Sequence, residues 1–397
     1  MRKSTDTLTP AQVYRFALDF CQPYLPFRTV GKVTGEVILS ILFAAAARIS
    51  SIHETCGRLA EAPCEETFTA ALYPQLVDIE QIKKGVNAAF ASQLPRAVRR
   101  SRKRPLTIAA DLTLLAYYGT HTRDDPQIYR GQAKRGTNSF FAYATVYLVL
   151  HGERFTLAVA PVTRSETLKQ VLQELLAAVS KAGLSIGLLL LDRGFYSVEV
   201  IRYLQQARRP FLMPMVCHGR KADDPRGPSG SNVFKARKTS GWFTHTLQDA
   251  KKQKATVSVC VKRARYKNKH GKRKRETWVY AYWGIAPTHV DWVKDTYRRR
   301  FGIETSYRQM NQCRIRTTTK KFHVRFLYVA VALLLRNLWV WLHYAVLSSP
   351  RRGGRRYNWE LLRVERMLIW LEEVAKRIYG LVAVVATERI LPATVAG

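Results

Sequence analysis

Between Leu8 and Pro95, apolar residues recur at helical spacing. Thr9-Pro10 supplies an N-cap and a proline at the first helical position, which predicts a helix to about Cys21. A strongly apolar helix is expected from about Thr34 to Ile49, then two short ones in SIHETCGRLA and CEETFTAALY on either side of an EAP break. Two short helices around a tight turn suit a helix-turn-helix or an ordinary bundle. From Pro105 the period changes to that of strands. PLTIAADLTLLAYYG, FFAYATVYLVL and RFTLAVAPV read as three strands, the last two flanking a hairpin turn at His151-Gly152-Glu153. Ser165 is expected to cap a helix to about Ala182, and Gly183 to end it. SIGLLLL is a continuous apolar run, as in a strand buried on both faces, and Asp192 stands at its end. Ser197 opens another helix and FLMPMV is a further short strand, giving the order β-β-β-α-β-α-β.

Residues 217–276 leave this scheme. They carry Gly, Pro and Ser turns and short β-like stretches such as TVSVCVKRARY, and they read as a β-rich insertion before strand WVYAYWGI. His289 to about Asn311 reads as one helix, with Gly302 a weak point in it. A long apolar helix over 323–347, a loop at SSPRRGGRRYN and an amphipathic helix from Trp359 to Tyr379 complete the chain. Phe326–Leu335 is apolar for only ten residues before Arg336-Asn337, so a buried core helix is expected rather than a membrane span. The expected organisation is a helical domain over 1–95, a linker over 96–104, an α/β core over 105–216 and 277–347, the insertion over 217–276, and a helical region over 348–397.

Charge changes the picture. Lys and Arg outnumber Asp and Glu by 65 to 29, a formal net charge of +36, which reads as a surface for a polyanion. The positive charge is clustered. Arg96 to Arg104 holds six basic residues in nine, and Lys262 to Arg275 holds nine in fourteen. From Gly31 to Pro95 there are instead five basic and seven acidic residues, so those helices would bind DNA only with help from the adjoining basic run. The six cysteines form no C-x-x-C pair, and nothing in their spacing suggests a zinc ribbon or a disulfide framework. Cys217-His218 with Cys260 and His270 is a weak zinc candidate beside the simpler reading of free buried thiols. MRKSTDTLTP lacks the apolar stretch of a signal peptide, and the chain reads as soluble and intracellular.

Three carboxylates stand out. Asp111 lies inside an apolar strand, where a charge is costly unless it is paired or binds metal. Asp192 lies at the C-terminal end of a buried strand, where open α/β sheets place ligands. Glu304 is the one acid among six arginines in YRRRFGIETSYRQMNQCRIR, Tyr297 to Arg316. Tyr297, Arg300, Glu304 and Asn311 recur at steps of three, four and seven, which places them on one helical face. Two carboxylates on strands and one on a covering helix suit a site for two Mg²⁺ ions acting on a phosphodiester. The competing reading of Glu304 is simple pairing with Arg300 and Arg308. Asp124 and Asp125 rival Asp111, although Asp-Asp-Pro is ordinary turn chemistry.

The element order, "DRGF" at Asp192 to Phe195 and the late Tyr-Arg-Glu face resemble DDE transposases of bacterial insertion sequences. The resemblance is to the group with the Y-x2-R-x3-E-x6-K signature. It covers roughly residues 105 to 345. Tyr297, Arg300 and Glu304 fit the spacing, and Asn311 departs from the lysine. The resemblance implies an RNase H-like mixed sheet, with Asp111, Asp192 and Glu304 as catalytic metal ligands for two Mg²⁺ ions, Mn²⁺ substituting. It implies that Tyr297 and Arg300 contact DNA near the cut. Arg308 or Arg314 would stand in for the lysine at Asn311, and Arg193 would steady the substrate. In such relatives a freed 3′-hydroxyl forms a hairpin on the transposon end, and a tryptophan of the insertion stacks on a flipped base; Trp242 is the candidate here. The basic run with Lys272 and Arg273 would hold phosphates. The partners implied are double-stranded DNA, both transposon ends and target, and a second copy of the chain, since two ends must be held together; no membrane is implied. The expected function is cut-and-paste transposition in the bacterial cytoplasm, at the nucleoid. A metal-dependent nuclease or resolvase without strand transfer, and a non-catalytic DNA-binding derivative, are the alternatives. An RNA-binding protein is motivated only by charge, as no RRM or KH signature occurs.

Overall fold

The computed structural model describes residues 7–99, 105–122, 125–134, 136–150, 154–267, 273–352 and 354–384. The chain opens with α1 (Pro10–Cys21), whose capping box joins Thr9 and Gln12. The apolar α2 (Gly35–Arg48) follows, then α3 (Ile52–Arg58), α4 (Glu65–Leu72) and α5 (Ile79–Ser92). Asp78 caps α5 by accepting the Glu80 and Gln81 N–H groups. Of the basic run, Arg96–Arg99 form α6, and 100–104 lie outside the described residues.

The sheet begins with β1 (Leu106–Ala116). A short strand that the residue pattern did not suggest, β2 (Tyr129–Lys134), precedes β3 (Thr137–Leu148) and β4 (Thr156–Val162). β2 carries Arg, Gly, Gln and Lys and is largely exposed, so it has no apolar alternation to read. Next come α7 (Leu168–Lys181), β5 (Ile186–Leu191), α8 (Val198–Gln206) and β6 (Phe211–Pro214). The cap of α7 is Thr167, not Ser165. Thr167 exchanges hydrogen bonds with Gln170, while Ser165 pairs with Thr163. Gly183 follows the helix at φ +76°, a conformation that favours glycine.

Among the described residues nine strands form one sheet. β3 pairs antiparallel with β1 and with β4, β1 runs parallel to β5, and β5 parallel to β6. This is the RNase H-like mixed sheet. Residues 217–276 extend it. After the short α9 (Asn232–Ala236) come β7 (Gly241–Gln248), β8 (Lys254–Lys267) and β9 (Arg273–Trp283). β9 pairs antiparallel with β6, β8 with β9 and β7 with β8, so the meander continues the core sheet outward.

The segment expected as one helix over 289–311 is two, α10 (Val290–Arg298) and α11 (Gly302–Asn311), joined by a 3₁₀ turn at Arg299–Phe301. Then α12 (Phe322–Leu342) runs into a π-helical turn at His343–Leu347. The stretch Phe322–Leu347 is long and apolar enough to cross a membrane, yet 94% of its most apolar window is buried in the protein, as for a core helix. SSPRRGGRRYN, expected as a loop, holds a small hairpin of β10 (Ser349–Arg351) and β11 (Gly354–Arg356). The last helix is α13 (Val364–Tyr379). It starts later than Trp359 because Trp359 is held against the rings of Trp339 and His343. Trp339 and His343 both donate to the Leu362 carbonyl, at 2.8 and 2.7 Å.

α12 packs against α1, α2 and α5, and α13 against α1 and α2. Glu372 of α13 ties the ends together, accepting Arg48, Arg58 and Lys376 at 3.1, 3.0 and 2.8 Å. The N-terminal and C-terminal helices therefore share one apolar core with one face of the sheet. The opposite face has its own smaller core, built from Ala109, Leu188, Leu190, Leu212, Tyr297 and Ile303, beneath α10 and α11.

Candidate active site

Strand parity places the two aspartates. Ala109 of β1 faces the smaller core, and side chains two apart share a face, so Asp111 faces α10 and α11. On β5, Leu188 and Leu190 face the same way, and Asp192 is the next position of that face. In the parallel ladder Ala110 pairs with Leu191, so one step further brings Asp111 beside Asp192. The carboxylates meet where β5 ends, beside the middle of β1.

Arg300 lies between them. Its Nη1 is 2.9 Å from Asp111 Oδ2 and its Nη2 is 3.2 Å from Asp192 Oδ1. The Asp111 Oδ1 accepts the Leu112 N–H at 2.8 Å. The side chains of Arg300 and Asp111 are 6% and 14% exposed, against 42% for Asp192. Burial pushes the Asp111 carboxyl up to about 6. Arg300 opposes the rise, and Asp192 adds to it. Desolvation thus outweighs the ion pair here.

Other candidates fall in different places. Tyr297 is buried, its ring against Tyr280 and Phe301 and beneath the Arg300 guanidinium. Arg300, expected towards DNA phosphate, is turned inward because two carboxylates outcompete solvent for it. Glu304 stands exposed on the first turn of α11 and forms no hydrogen bond or ion pair among the described residues, with Arg300, Arg308 or the aspartates. Arg308 and Asn311 are exposed on the same helix. Because the helix breaks at Arg299–Phe301, Tyr297 and Arg300 do not share a continuous helical face with Glu304 and Asn311. Among the described residues no three His, Cys, Asp or Glu side chains gather to hold a metal, which covers both the Asp111–Asp192–Glu304 set and Cys217 with Cys260. Asp125 belongs to a turn, accepting the Gln127 N–H at 2.9 Å, and Asp124 lies outside the described residues.

A cavity of about 640 Å³ opens beside Asp192. Arg193, Lys294 and Arg298 bring positive charge to it, and Tyr266, Trp278 and Phe301 bring rings. Lys294 Nζ sits 3.9 Å from the Trp278 ring centre, covering one face. Trp242 is elsewhere. The register runs in one row from Asp192 through Pro214, Tyr280 and Cys260 to Trp242, four strands away. At about 4.8 Å per strand that is roughly 20 Å. Trp278 was missed although its signal was present, for Trp278, Tyr280 and Tyr282 alternate along β9. Arg314 lines a second cavity, of about 590 Å³, with Arg316, Arg325 and His53, between α3 and the end of β1. Lys272 lies outside the described residues, as does the side chain of Arg273.

The model of the Transposase DDE domain matches residues 102–338, more than half of the chain. The chain belongs to the DDE transposase family. No curated protein matches it. Among solved structures, a piggyBac transposase in a synaptic complex with hairpin DNA superposes with a TM-score of 0.52 at 10% identity, covering 96% of this chain and 82% of that one, a likeness of fold. The chain is thus a DNA transposase whose sheet carries Asp111 and Asp192 side by side. Transposases of this family depend on a divalent metal. The aspartate pair fits such an ion: two hard oxygen donors, one of them desolvated, converge on a single positive charge.

Proposed function

We propose that this transposase cuts and pastes a bacterial insertion sequence of the Y-R-E-K group, with Asp111, Asp192 and Glu304 as its catalytic acids. The observation that carries the reading is the convergence of Asp111 and Asp192 on Arg300 where β5 ends. Two Mg²⁺ ions, or Mn²⁺ in their place, would supply activation of the attacking oxygen and charge neutralisation at phosphorus. Asp111 and Asp192 would hold them, with Glu304 brought in from α11. For that, Arg300 gives up the carboxylates and turns to the DNA phosphate beside the cut, and the 3₁₀ turn at Arg299–Phe301 is the joint between it and Glu304. Arg193 and Arg298 at the cavity mouth would steady the strand.

The aromatic cavity beside Asp192 suits a nucleotide swung out of the stack, as a hairpin intermediate requires. Trp278 takes the stacking role there in place of Trp242. The helices over 1–95 would bind transposon ends, aided by the basic run after them. The basic β8–β9 hairpin would track phosphates. Two copies would hold two ends, which gives a homodimer in the DNA complex. The protein would work in the cytoplasm, at the nucleoid. Asp192→Asn tests the site: strand cleavage is expected to disappear while affinity for end DNA changes less than about threefold, since a charge-neutral isostere leaves the fold intact. A variant that still cuts would remove Asp192 from the chemistry.

A further inference from the structure

Arg154, just before β4, and Arg336, in the middle of α12, meet behind the turn that joins Arg300 to Glu304. Arg336 is 3% exposed, and its Nη1 donates to the Arg154 carbonyl while its Nε is 3.4 Å from Gln309 Oε1. The Arg154 Nε is buried with no hydrogen-bond partner. Among the described residues neither guanidinium has a carboxylate partner. Burial and Arg154 together pull the Arg336 guanidinium down to about 10. Two like charges, one buried and one half-buried, are costly without an anion, and proteins ordinarily pair them.

The two arginines line a cavity of about 150 Å³, with Gly302, Thr305, Ser306 and Gln309 of α11 forming its other wall. Thr305 is exposed, so the cavity is open to solvent there. Gly302 is shaped to this neighbour: a Cβ at that position would overlap the Arg154 guanidinium. The glycine that weakens α11 therefore lets a cation lie against the start of the helix, and among the described residues no carboxylate pairs with that cation.

We propose that this cavity binds a phosphate group, with the Arg154 and Arg336 guanidiniums as its charged donors and Thr305 at its mouth. The phosphate is either one of the DNA backbone or a free one. Planar guanidinium donors match a phosphate's oxygens. The site is distinct from the aspartate pair, and its existence does not rest on Glu304 being a metal ligand.

The test uses the full chain without divalent metal. Thermal melts and calorimetric titration compare sodium phosphate with sodium chloride at equal ionic strength, for wild type, Arg154→Gln and Gly302→Ala. The wild type is expected to show a saturable, phosphate-specific rise in melting temperature. Arg154→Gln should weaken phosphate binding by roughly tenfold or more, the loss of one charged donor. Gly302→Ala, which keeps both charges but displaces the Arg154 guanidinium, should weaken it as well. Equal effects of phosphate and chloride on wild type, or phosphate binding unchanged in both variants, would overturn the proposal. A saturating DNA duplex separates the sources. If it abolishes the phosphate-specific shift, and Arg154→Gln lowers the salt slope of DNA binding by about one, the backbone supplies the phosphate. If the shift persists on DNA, the ligand is free phosphate. Either result leaves the site standing.

Discussion

A single guanidinium decides the state of the aspartate pair. Arg300 spans Asp111 and Asp192, which the parallel register holds side by side. Without it two carboxylates would face each other with one of them largely buried. Arg300→Met keeps bulk and removes the charge. In EDTA it is expected to lower stability by about 2–3 kcal/mol, less than for a fully buried pair because Asp192 is 42% exposed. Millimolar Mg²⁺ should return part of that loss in thermal melts, since a cation then sits where the guanidinium sat. Identical melts for variant and wild type would mean that the bridge carries no weight. Asp111 and Asp192 were legible in the sequence because a charge in an apolar strand and an acid at a strand end are local signals. The inward turn of Arg300 was not. Its partner Asp111 lies 189 residues away, and helical periodicity says nothing about which acids a chain will bring back.

At the scale of elements, alternation and register sort the aromatic residues. Trp242 sits on β7, where its ring meets Tyr282 edge-on at 5.9 Å. Trp278 sits on β9 at the wall of the cavity that includes Asp192. A stacked base gains about 1–3 kcal/mol from such a ring. Trp278→Ala is therefore expected to leave first-strand nicking intact and to slow hairpin formation by roughly tenfold, while Trp242→Ala leaves both steps near wild type. Gel analysis of end-labelled DNA reads both steps, and the reverse pattern would return the role to Trp242. The strand order through β6 was readable from apolar runs and turns. β2 was not, being polar and exposed. The break before α11 was not either: Gly302 could be seen as weak, but the Arg154 guanidinium that lies against it comes from just before β4, distant in sequence. The late start of α13 has a similar long-range cause, for the rings of Trp339 and His343 hold Trp359 by contacts outside its own segment.

For the whole molecule, the formal charge of +36 is expected to drive DNA affinity, and the β8 and β9 strands carry a dense share of it. Replacing Lys272, Arg273, Lys274 and Arg275 by glutamine is expected to weaken duplex binding and to lower the slope of log affinity against log salt by up to about four. An unchanged slope would mean that this run does not touch phosphate. Affinity alone does not make a transposase, however; the proposed chemistry needs Asp111, Asp192 and Glu304 to act as one metal-holding set. The direct measurement is cleavage and joining of DNA carrying the element's own ends, with Mg²⁺ or EDTA, by wild type and by Glu304→Ala. Mg²⁺-dependent nicking at the 3′ ends followed by strand transfer in the wild type is the predicted result, with both lost in the variant while DNA binding remains. Cleavage by Glu304→Ala at the wild-type rate would remove Glu304 from the metal-holding set, leaving it as one more exposed charge among the arginines.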